Sequence, residues 1–397
     1  MKVIGMISGT SFDAIEAVAV DFSLTDRVIE AALLGHVSVP YSDELRDRVA
    51  QVLPPHATTI EEVCKLDTLI GQSFADVAVS LADQHCDGIV DVVCSHGQTV
   101  YHWVHDGHAL GTLQIGQGAW IAERTEATVV CDVRSRDVAA GGHGAPLVSL
   151  LDVLLLGQNP PNVRGALNLG GISNITVVGP SREPIAFDIG PANALMDAAV
   201  MWLSDGSEHY DRDGERAARG VVDETFLARL LDDPYYAAPA PKSTGKEHFH
   251  REYLLEKLSS LDIGRDDLLA TLADLTARTV ASAVREYGVT ELFVSGGGTR
   301  NAHLMRLIGG YLSGVSVSLV DELGVPEAAK EAALFALIGF LTVHGIAGSV
   351  ASCTGARRAS ILGTIIPGRQ PTVVVAERDE PTRIILRSSL STEVESV

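Results

Sequence analysis

Asp188 stands in Phe187-Asp188-Ile189-Gly190-Pro191-Ala192-Asn193, at the end of an apolar run and just before residues 193–201, whose spacing predicts a helix. A carboxylate in that position can take a proton from a water or a sugar hydroxyl. The same fragment also suits a helix cap or an Asx turn. Glycine and hydroxyl residues gather in Gly9-Thr10-Ser11, in Gly170-Gly171-Ile172-Ser173-Asn174 and in Gly296-Gly297-Gly298-Thr299. Backbone without side chains can approach phosphate oxygens and aim N–H groups at them, so such loops together can hold a triphosphate. Any one of them alone reads equally as an ordinary tight turn.

Residues 131–146, CDVRSRDVAAGGHGAP, place Arg134 and Arg136 beside Asp132 and Asp137 in an expected strand and loop. Guanidinium forks suit a ligand carboxylate or phosphate, and an internal Arg/Asp ion-pair set is the alternative. His96, His102, His105 and His108 have a spacing that suits neither one helix face nor a zinc motif, so they read as polar loop histidines. The usual phosphate signatures are absent. Ser243-Thr244-Gly245-Lys246-Glu247 lacks the hydroxyl residue a P-loop needs after its lysine, and no strand leads into GxGxxG.

The elements that must carry these residues repeat. Val3 to Ile7, a polar turn and Ile15 to Phe22 predict a β-hairpin. The same grammar returns in Gly165 to Leu169, GGISN and Ile175 to Val178, followed by Ile185 to Ile189. Each hairpin precedes helices and short strands: a helix over 60–84 and a strand over 90–94 ending in SHGQT, then a helix over 268–287 and a strand over 291–294 ending in SGGGTRN. This alternation predicts an α/β class with largely parallel sheets, whose loops after strands bind ligands. The expected domains are 1–157 and 165–370, joined by a linker at 158–164, with the last elements of the second free to pack back on the first. Residues 371–397 form a C-terminal extension that reads as an edge strand, an appended segment or disorder.

A chain of 397 residues with 46% apolar side chains is globular, with room for two domains. Its 51 acidic and 30 basic residues leave a formal charge of −21, which excludes a phosphate-backbone binder and leaves no expected nucleic-acid partner. The five cysteines are odd in number, lack a CxxC pair and mostly sit in apolar contexts, so buried thiols in a reducing, cytoplasmic setting are expected. Neither a signal-peptide segment nor a membrane-spanning run is legible.

Taken together, GMISGTSFDAIE, CSHGQTVYH, LQIGQGAWIAERT, VRSRDVAAGGHGAPLV, LNLGGISNIT, FDIGPANALMD, KSTGKEHF, VSGGGTRNAHLM, EAAKEAALFA, CTGA and ILGTIIPG resemble the anhydro-N-acetylmuramic acid kinases in content and order over residues 3–368. The resemblance implies a duplicated actin-like ATPase fold with two domains around a nucleotide cleft, a homodimer, and an ATP- and Mg²⁺-dependent reaction. That reaction opens the 1,6-anhydro bridge of anhydro-muramic acid and phosphorylates O6. By position, Asp188 matches the catalytic aspartate, and Gly9, Thr10, Ser11, Phe12, Asp13, Ala14, Ile15 and Glu16 match the nucleotide-phosphate hairpin. Gly170, Gly171, Gly296, Gly297 and Asn301 match nucleotide loops, while Gln98, Thr99, His102, Arg134, Asp137 and Glu331 fall in blocks on the sugar side. Asp13 is expected to reach Mg²⁺ through water. The chain departs from the family pattern at Ala14, Glu16, Val133, Ser149, Ile189 and Ala192. An acceptor other than the anhydro sugar, or a nucleotide-binding regulator without catalysis, therefore remains as an alternative.

Overall fold

The computed structural model describes residues 1–9, 11–245, 247–259, 261–369 and 379–388. It divides into two compact units, Met1–Gly157 with Leu323–Val397, and Gln158–Glu322. The first unit opens with β1 (Lys2–Ser8), β2 (Ala14–Thr25), β3 (Val28–Pro40), β4 (Val92–His105), β5 (His108–Ile115) and β6 (Thr128–Cys131). The second contains β7 (Arg164–Leu169), β8 (Ile172–Val178), β9 (Ile185–Pro191), β10 (Glu291–Ser295) and β11 (Ser316–Leu319). The chain then returns to the first unit with β12 (Thr364–Ile366) and β13 (Arg383–Ser388).

The duplication read from the hairpins holds strand by strand. In the first unit the order is β6-β4-β1-β2-β3, and in the second β11-β10-β7-β8-β9. In both, the three hairpin strands are antiparallel and the two strands beyond the first join in parallel. The sheets are therefore mixed, not largely parallel, because the tight glycine turns connect neighbours that must run in opposite directions.

Burial on both faces explains the unbroken apolar runs of β1 and β2. Val3, Val18 and Val20 pack with Leu154 and Phe335, while Ile4, Ala17 and Ala19 pack with Ile70 and Phe74 on the other side. The helix Ile60–His85, capped by Thr59, supplies the second layer, and Val148–Leu156 and Lys330–Val343 supply the first. Lys330–Val343 is apolar around almost its whole circumference, as a helix enclosed on all sides must be. In the second unit the helix Arg265–Glu286 fills the same role against β9 and the helix Asn193–Leu203.

The structure refines the expected domain bounds. Residues from Leu323 onward group with the first unit, where Lys330–Val343 lies against β1 and β2. The stretch expected as a linker at 158–164 belongs to the second unit, and its last residue starts β7. Of the C-terminal extension, Arg383–Ser388 is an edge strand parallel to β3, while 371–378 and 389–397 lie outside the described residues. The cysteines are free as expected, yet Cys64 is exposed and Cys131 half-exposed.

Gly5 shows how closely the core is built. A Cβ there would collide with the main chain of Ala332 and Ala336, which no rotamer change relieves. Gly5→Ala should lower unfolding stability by about 3 kcal/mol, measured by urea denaturation. A loss below about 0.5 kcal/mol would contradict this packing.

Candidate active site

Asp188 lies inside β9, opposite Asn174 of β8, and is not a helix cap. β9 is the outer strand of its sheet, and its free side is covered by a strap running through Tyr235, Lys242 and Thr244. The main-chain N–H of Asp188 donates to the Lys242 carbonyl at 3.0 Å. The Tyr235 hydroxyl donates to the Asp188 carbonyl at 2.6 Å, and the Thr244 N–H donates to Asp188 Oδ2 at 2.9 Å. Backbone and carboxylate are thus held from one side by one segment, which is anchored in turn by edge-on and tilted contacts among the Tyr235, Tyr236, His248 and Phe249 rings.

Burial raises the Asp188 pKa from the ordinary 3.8 to about 6, the Thr244 amide opposes that shift, and the Glu247 carboxylate adds to it. A carboxylate with a pKa just below neutrality is mostly ionised at pH 7 and still a useful proton acceptor. Neither Tyr235 nor Thr244 stood out in the sequence. Thr244 belongs to the 243–247 segment that fits no P-loop, and nothing in its residue types marks it as a partner of Asp188.

The glycine turns are held by their carbonyls. Gly170 O accepts the main-chain N–H and the side-chain amide of Asn193, and Gly171 O accepts the N–H groups of Ala192 and Ala194. Gly296 has φ +92°, and a Cβ there would sit 2.6 Å from Asn168 Oδ1, whereas Gly297 faces open space. Asn301 caps the helix Ala302–Tyr311 through Leu304 N–H at 2.9 Å, so its Oδ1 has a structural task in the loop.

In the first unit the turn after β1 is closed by Phe12 N–H to Gly9 O, with Phe12 at φ 45°. Ser11 and Asp13 are exposed, and Thr10 lies outside the described residues. Ala14 begins β2; Ile15 points into the core, and Glu16 accepts from His36 Nε2 at 3.0 Å and Ser38 Oγ at 2.5 Å. Side chains of Ile15 and Glu16 are therefore committed within the protein. Gln98 is fully buried: it accepts from Ser8 Oγ at 2.6 Å and donates to the Gly9 and Thr99 carbonyls at 3.2 Å. It fastens the turn to β4. Thr99 accepts from Gln114, and His102 is exposed on β4.

The histidines expected in loops occupy a hairpin, since β4 continues through SHGQT to His105 and pairs with β5 starting at His108. His96 is buried. Its Nδ1 meets the Gly97 carbonyl at 3.0 Å and its Nε2 meets Arg134 Nε at 2.7 Å. A carbonyl only accepts and a guanidinium only donates, so His96 is the neutral Nδ1–H tautomer. Burial first, then the Arg134 charge, lowers its pKa to about 3. Arg134 also donates to the Gly144 carbonyl, and its Nη2 makes no hydrogen bond to the described residues. Asp137 accepts from Gly144 N–H at 2.9 Å and from Thr354 at 2.8 Å, deep in the interior. Residues 135–139 form a short helix, not the expected strand, and Arg134 and Asp137 do not pair with each other. Glu331 opens the helix Lys330–Val343 and attracts the Arg134 charge. Among the described residues no group of three His, Cys, Asp or Glu side chains could hold a metal, and no helix is long and apolar enough to cross a membrane.

Two units with the same strand order, each with a glycine turn at the hairpin, form a duplicated α/β fold, and the second carries the fixed Asp188 carboxylate. Solved structures with low likeness include a ROK hexokinase from Thermus thermophilus, 15% identical, TM-score 0.34, covering 86% of this chain and 99% of that one. The family model "Anhydro-N-acetylmuramic acid kinase" matches residues 1–368. Relatives of that name are 57% identical in Streptomyces coelicolor, over 97% of this chain and 98% of the relative, and 52% in Rhodococcus erythropolis, over 93% and 94%. A more distant one in Caldanaerobacter subterraneus is 37% identical over 91% and 96%. The chain belongs to the anhydro-N-acetylmuramic acid kinase family.

Two outcomes follow from the strap. Tyr235→Phe leaves the Asp188 carbonyl without its hydroxyl donor and should cost about 1 kcal/mol in urea denaturation, with kcat lowered and KM for ATP unchanged; unchanged stability and kcat would contradict it. The raised pKa means that the folded protein binds this proton more tightly than the unfolded chain does. The stability it contributes is present below about pH 4 and is lost as pH rises through about 6. Asp188→Asn should therefore be more stable than wild type at pH 7.5, by about 1–3 kcal/mol, and no more stable at pH 4. Equal melting temperatures at both pH values would rule out the buried charge.

Proposed function

We propose that the protein phosphorylates 1,6-anhydro-N-acetylmuramic acid at O6 with ATP while water opens the anhydro bridge, a step in cell-wall sugar recycling. The observation that carries this reading is Asp188, a half-buried carboxylate with a pKa of about 6, fixed by the Thr244 amide. Asp188 takes a proton from water as the water oxygen bonds to C1. The C1–O6 bond breaks, O6 bonds to the γ-phosphorus of ATP, and the bond from that phosphorus to the leaving ADP oxygen breaks. The products are N-acetylmuramic acid 6-phosphate and ADP.

The turn at 9–13 and the loops at Gly170, Gly171, Gly296 and Gly297 hold the nucleotide phosphates, and Gln98 keeps the first of these turns in place. Arg134, oriented by His96 and Gly144, presents its uncommitted guanidinium edge to the acceptor, with Thr99, His102 and Glu331 near the same block. Mg²⁺ offsets phosphate charge in such transfers. The exposed Asp13, whose side chain makes no hydrogen bond to the described residues, fits a role toward it through water. A different acceptor gains no support from the departures noted in the sequence: Val133, Ile189 and Ala192 are core residues, and Ser149 is buried and bonded to Pro146 O. The reading extends to a cytoplasmic homodimer, for which sedimentation should give twice the chain mass of 42.0 kDa.

Purified protein given ATP, Mg²⁺ and the anhydro sugar should release ADP, with kcat/KM rising with pH about a midpoint near 6. Asp188→Asn should lose at least about a hundredfold in kcat and still bind ATP. Wild-type turnover by Asp188→Asn would remove the mechanism, and preference for an unbridged sugar would remove the substrate.

A further inference from the structure

Phe187 and Ile189 are buried residues of β9, and Ile189 is the extra residue of a bulge between the pairs Asp188–Asn174 and Gly190–Ser173. With the helix Arg265–Glu286 and the strap, they wall a cavity of about 270 Å³. Tyr236 and Tyr287 add aromatic walls, and Ala283 forms part of the floor. None of the residues read as the nucleotide or sugar site lines it.

One polar group of this cavity is left with unmet capacity. The Lys242 ammonium donates to the carbonyls of Tyr235 at 3.0 Å and Tyr236 at 3.3 Å and lies 4.6 Å from the centre of the Tyr235 ring. These partners leave one of its three N–H groups unused, and it forms no ion pair among the described residues. The other charges are occupied or peripheral. Arg278 is taken by Asp274 at 2.7 Å and Glu224 at 2.6 Å, and Glu286 is exposed at the end of its helix.

We propose that this cavity is a binding site for a small monocarboxylate with an aromatic or alicyclic body. The carboxylate accepts from Lys242, and the body packs on Phe187, Ile189 and Tyr287. The volume limits the ligand to roughly the lower end of ordinary small-molecule sites. Glu286 at the rim disfavours a dianion such as phosphate. The Lys242 carbonyl also holds the Asp188 N–H, so the strap links this cavity to β9.

Calorimetric titration with phenylacetate and with its neutral isostere phenylacetamide tests the site without relying on turnover. Saturable phenylacetate binding is expected, at least about tenfold tighter than phenylacetamide, since a charge-assisted hydrogen bond accounts for that ratio. Lys242→Met should weaken phenylacetate by a similar factor. Ser282→Trp, at the exposed mouth, should abolish binding while kinase turnover, the sign of an intact fold, is kept. Absence of saturable binding to wild type, equal affinity for the two probes, or undiminished binding to Lys242→Met would overturn the proposal.

Discussion

The site depends on the hydrogen bond from Thr244 N–H to the Asp188 carboxylate, set against the burial that surrounds it. Burial alone would hold the proton on Asp188, and a full set of donors would make it too weak a base. One main-chain donor, with Glu247 nearby, leaves the carboxyl at about 6. The same strap meets another need. β9 is an edge strand, and an uncovered edge would expose unpaired N–H and C=O groups at Asp188. The Lys242 carbonyl and the Tyr235 hydroxyl satisfy those groups at Asp188 itself, so edge protection and positioning are a single device.

The first unit solves a parallel problem with different residues. Its hairpin turn must present backbone without collapsing, and the fully buried Gln98 amide ties Ser8 and Gly9 to β4. In the second unit the helix N-terminus at Asn193 draws in the carbonyls of Gly170 and Gly171. Both devices bind carbonyl or hydroxyl groups of the turn. Asp137 and Arg134 divide Gly144 between them, one taking its N–H and the other its carbonyl, which explains a glycine-rich loop after a short helix.

Much of this was legible because it rests on short-range rules. The paired hairpins, the helix over 60–84 and the strand before SGGGTRN follow from apolar periodicity and turn residues. What sequence could not give is the partner across space. Nothing in the order of residues says that Lys330–Val343 crosses back to β1, or that Gly5 exists to admit it. Asp188 was found as a candidate, yet its grip by Tyr235 and Thr244 joins residues about 50 positions away whose types are unremarkable. Ile189 shows the converse. Its change of type beside Asp188 suggests a change in the sugar pocket, yet Ile189 is a buried bulge residue that lines a separate cavity.

The central claim is that burial, moderated by one amide, sets the Asp188 carboxyl near neutrality in the resting protein. Difference infrared titration of the carboxylate stretch, wild type minus Asp188→Asn, reads that group directly and needs no substrate. The account predicts one carboxyl titrating with a midpoint of about 6. A midpoint at the ordinary value near 3.8, or a carboxyl that stays protonated above pH 8, would contradict it.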